Sequence, residues 1–321
     1  RPPISTPLYS SAASDVYKRQ MTYYNSLNSW GWLDTIDKNV LKNIEVVPGD
    51  IRDTKSVKKL CKKADYIFHL ASLIAIPHSY DSPYSYLETN ALGTMNLLEA
   101  CLETNVEKII HTSTSEVYGE YNKIPISESS RVLAKSPYSA TKIAADQIAY
   151  SYQRSFGLPV SIIRPFNTYG PRQSSRAIIP TIITQIKSEK IVKLGSLHPT
   201  RDFSYITDTI NGYLAVAENK NSVGEIINIG SGHEISIGNL YKLICEIMKT
   251  KTKLVIDSKR VRPKEGEVDR LKADIKKAKS LLNWKPKYSG KTGLKEGLSE
   301  TIEWFKDKKN LRFYKSNLYN K

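Results

Sequence analysis

The sequence predicts an α/β fold, a doubly wound parallel sheet covered by helices on both faces and followed by a smaller lobe. Three observations carry this expectation. Past residue 40, short β-branched runs alternate with longer helical patterns, the grammar of βαβ units. Such strands, separated by helices, imply a parallel sheet buried on both faces. After Pro165 the texture changes, and loops carrying Arg, Pro and Gly (NTYGPRQSSRA, GSLHPTRD) alternate with helices.

In chain order, IEVVPGD reads as a strand ending in a turn, SVKKLCKKA as a short helix and ADYIFHLAS as a buried strand. SYLETNALGTMNLLEACLETN is a long amphipathic helix and KIIHTSTS the next strand. SPYSATKIAADQIAYSYQRSFG is a helix stopped by Gly157, and PVSIIRPFN is again a strand. The helices IIPTIITQIKSEK and TDTINGYLAVAEN, the strand EIINIGSG and a helix from Ile237 to Met248 complete the pattern, before DIKKAKSLLNWKP and a last helix. The second lobe is expected to fold over the carboxyl ends of the strands, where open α/β sheets bind ligands.

Composition narrows the function classes. Three cysteines stand far apart with no Cys/His cluster, which argues against a disulfide framework and a zinc site and suits a reducing cytoplasm. The longest apolar run, YIFHLASLIAIP, is too short to span a bilayer. The net charge of +16 is spread along the chain and is densest in the tail KDKKNLRFYKSNLYNK. It reads as solvated surface, with no nucleic-acid motif beside it.

Tyr138 and Lys142 are the sharpest constellation. Four residues apart on a helix, they share one face. The ammonium is expected to lower the phenol's pKa and to hold a cofactor ribose, which prepares a general base for a sugar hydroxyl. Upstream, the strand KIIHT ends in STSEVYG, so that Thr114, Ser115 and Glu116 meet a ligand at a strand's carboxyl end. GSGHEISIG, Gly230 to Gly238, imitates a dinucleotide fingerprint, but its third glycine falls late and it comes last in the sheet order.

GDIRD, FHLAS, the helix holding Asn90, TSTSEVYG, YSATK, RPFNTYGPR, TRDFSYITD and DIKKAKSLLNWKP occur in the order found in extended short-chain dehydrogenases/reductases acting on nucleotide sugars. The resemblance spans about residues 22–306. More narrowly, YYNSLNSWGWLD and AIIPTIITQI resemble 4,6-dehydratases of nucleotide-linked N-acetylglucosamine in legionaminic acid-type pathways. The resemblance implies a Rossmann domain over residues 21–165 and about 205–229. It implies a sugar-nucleotide lobe over 166–204 and 230–311, with a basic tail at 312–321. It also implies that the first strand and its glycine loop are missing, and residues 1–20 read as a non-native scar on a truncated chain.

The implied cofactor is NAD, with NADP the alternative. Its implied contacts are Asp50 and Ile51 at the adenine, Leu70, Ala71 and Ser72 along the dinucleotide, then Asn90, Tyr138 and Lys142. A nucleotide-diphosphate sugar is the implied substrate, held by Arg201, Arg262 and Asn167, with His78 in a loop over the pocket. Arg172 and Arg176 are weaker candidates, and His69 reads as a packed strand residue. Tyr138 would take the O4 proton, with Thr114 orienting that region. Glu116 would remove the C5 proton, with Ser115 as a hydrogen-bonding partner. Many dehydratases of this family carry Asp where Ser115 stands, which leaves open which group protonates the C6 oxygen; Glu116 is a candidate for both steps. A 4-epimerase, a decarboxylase and an inactive binding protein are the alternative readings. A homodimer is expected, without nucleic acid, membrane or metal.

Overall fold

The computed structural model describes residues 17–120, 123–189 and 191–315. Among the described residues, twelve strands form two lobes. The first holds β1 (Lys18–Thr22), β2 (Ile44–Pro48), β3 (Tyr66–His69), β4 (Lys108–Thr112) and β5 (Val160–Pro165). The second holds β6 (Asn167–Tyr169), β7 (Ile191–Leu194), β8 (Thr200–Tyr205), β10 (Glu234–Ser236), β11 (Lys253–Ile256) and β12 (Arg270–Leu271). Between them in sequence, β9 (Ile226–Ile229) returns to the first lobe.

The main sheet is parallel in the order β3-β4-β5-β9, as the βαβ reading requires. Its two faces can be read residue by residue. Ile109 and Ile162 face one core with Leu98, Cys101 and Ala149 of the helices behind them. Their neighbours Ile110 and Ile163 face the other with Phe166, Val216, Ile227 and Trp284. Successive side chains of a strand point to opposite faces, so each strand feeds both cores.

β1 and β2 form a separate parallel pair, with Lys18 opposite Ile44 and Thr22 opposite Pro48. Among the described residues β1 and β3 each pair on one side only. The segment set aside as non-native therefore contributes Lys18, Arg19 and Gln20 to this pair. Side chains anchor it: Arg19 Nε and the Tyr17 hydroxyl each lie 2.5 Å from Glu45, and Arg19 Nη1 donates to the carbonyls of Leu60 and Lys62. Composition hid this, because the ladder depends on a partner 26 residues away. Residues 1–16 lie outside the described residues.

The basic tail is also only partly a tail. Phe313 packs edge-on against Trp32 at 4.7 Å, and Tyr314 against Phe305 at 4.9 Å. Its hydroxyl donates to the Gln173 carbonyl. Residues 316–321 lie outside the described residues.

In the second lobe β8 is central, antiparallel to β10 and parallel to β6 and β12, while β7 pairs with β11. The Gly230 turn joins this lobe to the main sheet, and its amides are already occupied. The buried Asp202 carboxylate accepts from Ser231 N and its hydroxyl at one oxygen, and from Gly232 N and Ala273 N at the other. The fingerprint-like turn is thus an internal anion nest filled by the protein's own carboxylate.

Replacing Asp202 by Asn turns one acceptor oxygen into a donor and strands two buried amide donors. Asp202→Asn is expected to lower stability by about 2–4 kcal/mol, read as a fall of several degrees in the thermal midpoint.

Candidate active site

Four elements converge at the carboxyl edge of the main sheet. The first is the Pro137–Phe156 helix, opened by a Ser136 capping box with Pro137 in its first turn and closed by Gly157 at φ 71°. It carries Tyr138 and Lys142, and both are buried. Tyr138 lies edge-on to Tyr86 at 6.2 Å, and Tyr86 in turn lies 5.9 Å from His78. The Tyr86 hydroxyl fixes that wall by donating to the Ala75 carbonyl.

The second element is the turn after β4, a 3₁₀ segment Ser115–Tyr118 with Thr114 as its cap. Thr114 Oγ1 accepts from Glu116 N at 3.2 Å and stands beside the Tyr138 phenol, whose charged form it favours. One threonine therefore serves both the phenol and the turn that carries Glu116. Thr114, Ser115 and Glu116 are all buried.

The electrostatics differ from the sequence-based expectation in one respect. Burial pushes the Tyr138 phenol well above its ordinary value, and Thr114 opposes this only in part. Lys142 does not lower it here, because its ammonium points at the Thr112 carbonyl 2.5 Å away. Burial also pushes Lys142 down, to about 8, with the Asp146 charge pulling the other way.

Asp146 had not been singled out, although it lies one further turn along the same helix face from Lys142. It accepts from Ser113 Oγ at 2.7 Å and from the Arg164 guanidinium at 3.0 and 3.2 Å. His111 Nε2 stands 3.4 Å away, close enough for attraction but without a good hydrogen bond. Burial works against the Asp146 charge, but His111 and Arg164 prevail and hold its carboxyl below the ordinary range. Burial keeps His111 and His69 neutral, and their rings lie 5.3 Å apart; His69 Nε2 meets Thr94 Oγ1. His69 is a packed strand residue.

The third element follows β2 and β3. Asp50 is bound by Arg52, whose guanidinium approaches to 2.6 Å and holds the carboxyl below its usual range. Ile51 is buried and blocks any side chain at Gly93, where a Cβ would come within 2.9 Å. Leu70, Ala71 and Ser72 run off the end of β3, half-buried. Asn90 sits in a single π-type turn, Leu87–Leu92. Its oxygen accepts from Ser72 Oγ and Leu73 N, and its amide donates to Leu73 O and Thr141 Oγ1. All four of its hydrogen-bonding positions are used. It fastens the loop after β3 to the Tyr138 helix.

The fourth element comes from the second lobe. Arg201 is buried, donating to the carbonyls of Thr200 and Val268 and to Glu267 at 3.2 Å. Arg262 reaches the same Glu267 at 3.6 Å and Glu116 at 3.8 Å. Asn167 opens β6, and its Oδ1 is buried without a hydrogen-bond partner. Glu267 carries no sequence signal beyond its charge. Arg172 holds a left-handed φ of 66° in the loop after β6 and hydrogen-bonds nothing through its buried Nε.

The model for the family described as GDP-mannose 4,6 dehydratase matches residues 11–297. The chain belongs to this family. Relatives with three different reactions stand at similar distance. A putative UDP-glucose 4-epimerase of Methanocaldococcus jannaschii is 33% identical, covering 84% of this chain and 86% of its own. The human dTDP-D-glucose 4,6-dehydratase is 32% identical, covering 86% and 78%. A UDP-N-acetyl-alpha-D-glucosaminuronate decarboxylase of Bacillus cytotoxicus is 33% identical, covering 84% and 85%. Among solved structures, the UDP-glucuronic acid 4-epimerase of Bacillus cereus, in complex with UDP-glucuronic acid and NAD, aligns with a TM-score of 0.81. It is 29% identical and covers 92% of this chain and 91% of its own.

For a dinucleotide, Tyr138 and Lys142 lie buried on one face of their helix, positions that fit its nicotinamide-ribose end. Among the described residues, no glycine turn between a strand and a helix offers free amides to a pyrophosphate. No group of three His, Cys, Asp or Glu among them is arranged to hold a metal. No helix among them is long and apolar enough to cross a membrane.

Burial of Lys142 predicts a pH signature. Its pKa is near 8 in the folded chain and near 10.5 unfolded. The folded state thus binds fewer protons between these values, and stability should rise with pH across that window. Relative to Lys142→Met, the wild type should gain roughly 3 kcal/mol between about pH 8 and 10.5, measured by denaturant unfolding. No gain would mean the ammonium is solvated.

Proposed function

We propose that the protein is a nucleotide-sugar 4,6-dehydratase acting on a UDP- or GDP-linked N-acetylglucosamine-type sugar. The observation that carries this reading is Glu116, buried on the turn whose Thr114 stands beside the Tyr138 phenol. A 4-epimerase needs the tyrosine and lysine but has no use for a carboxylate there. Dehydration needs a group to take a proton from C5 and deliver one to the oxygen leaving C6.

NAD, when bound, accepts a hydride from C4 and returns it at C6. Lys142 and the chain from Leu70 to Ser72 would hold it, with Asp50 at the adenine end. Tyr138 is placed to take the O4 proton, which requires a further positive charge at the site to bring down the phenol that burial pushes up. Glu116 removes the C5 proton, made acidic by the adjacent ketone, and protonates the departing hydroxyl. Asn167 and Arg262 bind the diphosphate, for which arginine's planar fork is suited, while Arg201 stays bonded within its lobe and holds Glu267 beside them. A proton returned to C5, in balance with the one Tyr138 took from O4, completes the 4-keto-6-deoxy sugar nucleotide.

A homodimer agrees with the surface. Leu92, Met95 and Leu102 on one helical segment and Tyr150 on the Tyr138 helix are exposed, unusual for large apolar side chains at such spacing. Leu92→Glu with Met95→Glu should halve the mass measured by light scattering if this face is buried in a dimer. An unchanged mass would place the contact elsewhere.

Mass spectrometry of a UDP-, GDP- and dTDP-sugar panel incubated with protein and NAD tests the reaction. Loss of one water from a single sugar is expected. Tyr138→Phe should cut turnover about 10²–10⁴-fold. Glu116→Gln should abolish water loss while leaving hydride transfer from C4 measurable as the absorbance of reduced cofactor. Isomerisation without water loss would make the protein an epimerase, and loss of carbon dioxide from a uronic acid a decarboxylase.

A further inference from the structure

The two arginines at the expected diphosphate position are not equivalent. Arg201 is used up: its guanidinium satisfies two carbonyls and Glu267 inside the lobe. Arg262 is not. Its Nη1 is buried and lacks a hydrogen-bond partner, standing 3.8 Å from Glu116 Oε2 and 3.6 Å from Glu267 Oε1. Both separations are too long for hydrogen bonds, yet both are short enough for strong attraction at a site this shielded. A cation held loosely between two carboxylates, with an unused donor, is poised to change partner. A diphosphate offers it two charges and oxygens at the spacing of its fork.

We infer that Arg262 exchanges anions during the reaction cycle: it faces Glu116 and Glu267 until a sugar nucleotide's diphosphate takes it, and this exchange frees the Glu116 carboxylate to face the sugar. The inference rests on the roles proposed above for Glu116 and the diphosphate. It makes Arg262 a positioning residue for Glu116 as well as a ligand of the substrate. It couples recognition of the nucleotide end to readiness of the acid/base at the sugar end, through one side chain. Glu267, shared with the fixed Arg201, anchors the movable arginine's resting place.

If the exchange occurs, Glu116 and the diphosphate compete for one cation, and removing the carboxylate must strengthen diphosphate binding. The test is calorimetric titration of the full chain with UDP, GDP and dTDP, without sugar. Glu116→Gln is expected to bind at least one of them about five-fold more tightly than wild type. The gain should vanish when Glu116→Gln is made in an Arg262→Gln background, since only a shared arginine couples the two changes. Glu116→Ala should move affinity in the same direction, which separates loss of charge from any new bond made by glutamine. Unchanged or weaker binding in both Glu116 variants, or equal tightening without Arg262, overturns the exchange while leaving the substrate class intact. Failure of the wild type to bind all three nucleotides overturns both the exchange and the substrate class.

Discussion

The site depends on one buried charge. Asp146 lies under the active edge with essentially no access to water, and a carboxylate in such a place must be paired and hydrogen-bonded. Its partners come from two strands: Ser113 and His111 from β4 and the residue after it, and Arg164 from β5. Satisfying that carboxylate locks the helix onto two strands at a fixed height and rotation. Tyr138 and Lys142 lie on the same face, so their positions follow from it. Arg164 adds a second lock by stacking over Tyr118, whose hydroxyl reaches Asn228 on β9. A line of polar contacts thus runs across the whole sheet beneath the reacting groups.

The same logic explains how far the sequence could be read. Hydrophobic period and end signals identify the parallel sheet and the Tyr138 helix, because those signals are local; Gly157 and Pro137 mark its ends where the structure has them. YxxxK and the TSTSEVYG turn were legible because they are contiguous. Asp146 was legible in principle, at the spacing that places Lys142 beside Tyr138, but a lone Asp in a helix has the same appearance when solvated. Glu267 was not legible, since its role arises only where β12 and β8 bring two arginines together. The strand at Lys18–Thr22 was missed for a related reason: strand pairing is non-local, and its stabilising partners Glu45, Leu60 and Lys62 lie in other elements. Asn90 was legible from its place in the helix, but that its side chain is consumed in holding the loop after β3 to Thr141 was not, since both partners lie in other elements.

The expectation about proton affinity shows why geometry has to follow spacing. An ammonium four residues from a phenol on a helix would lower the phenol's pKa if it pointed at it. Here it points past it to the Thr112 carbonyl, and burial dominates the phenol instead. The same burial brings Lys142 to about 8, so the lysine is the group of the pair that titrates near neutrality.

Relatives at similar distance carry names of three different reactions, so the scaffold alone does not choose the chemistry. In this chain the charged groups around Glu116 come from both lobes. Glu116 hangs from the main sheet, whereas Arg262 and Glu267 belong to a loop of the second lobe that follows β11. Arg262 is the contact between the two lobes here, 3.8 Å from Glu116 and 3.6 Å from Glu267. A substitution in that loop can therefore change the surroundings of Glu116 without touching Tyr138, Lys142 or any residue of the sheet.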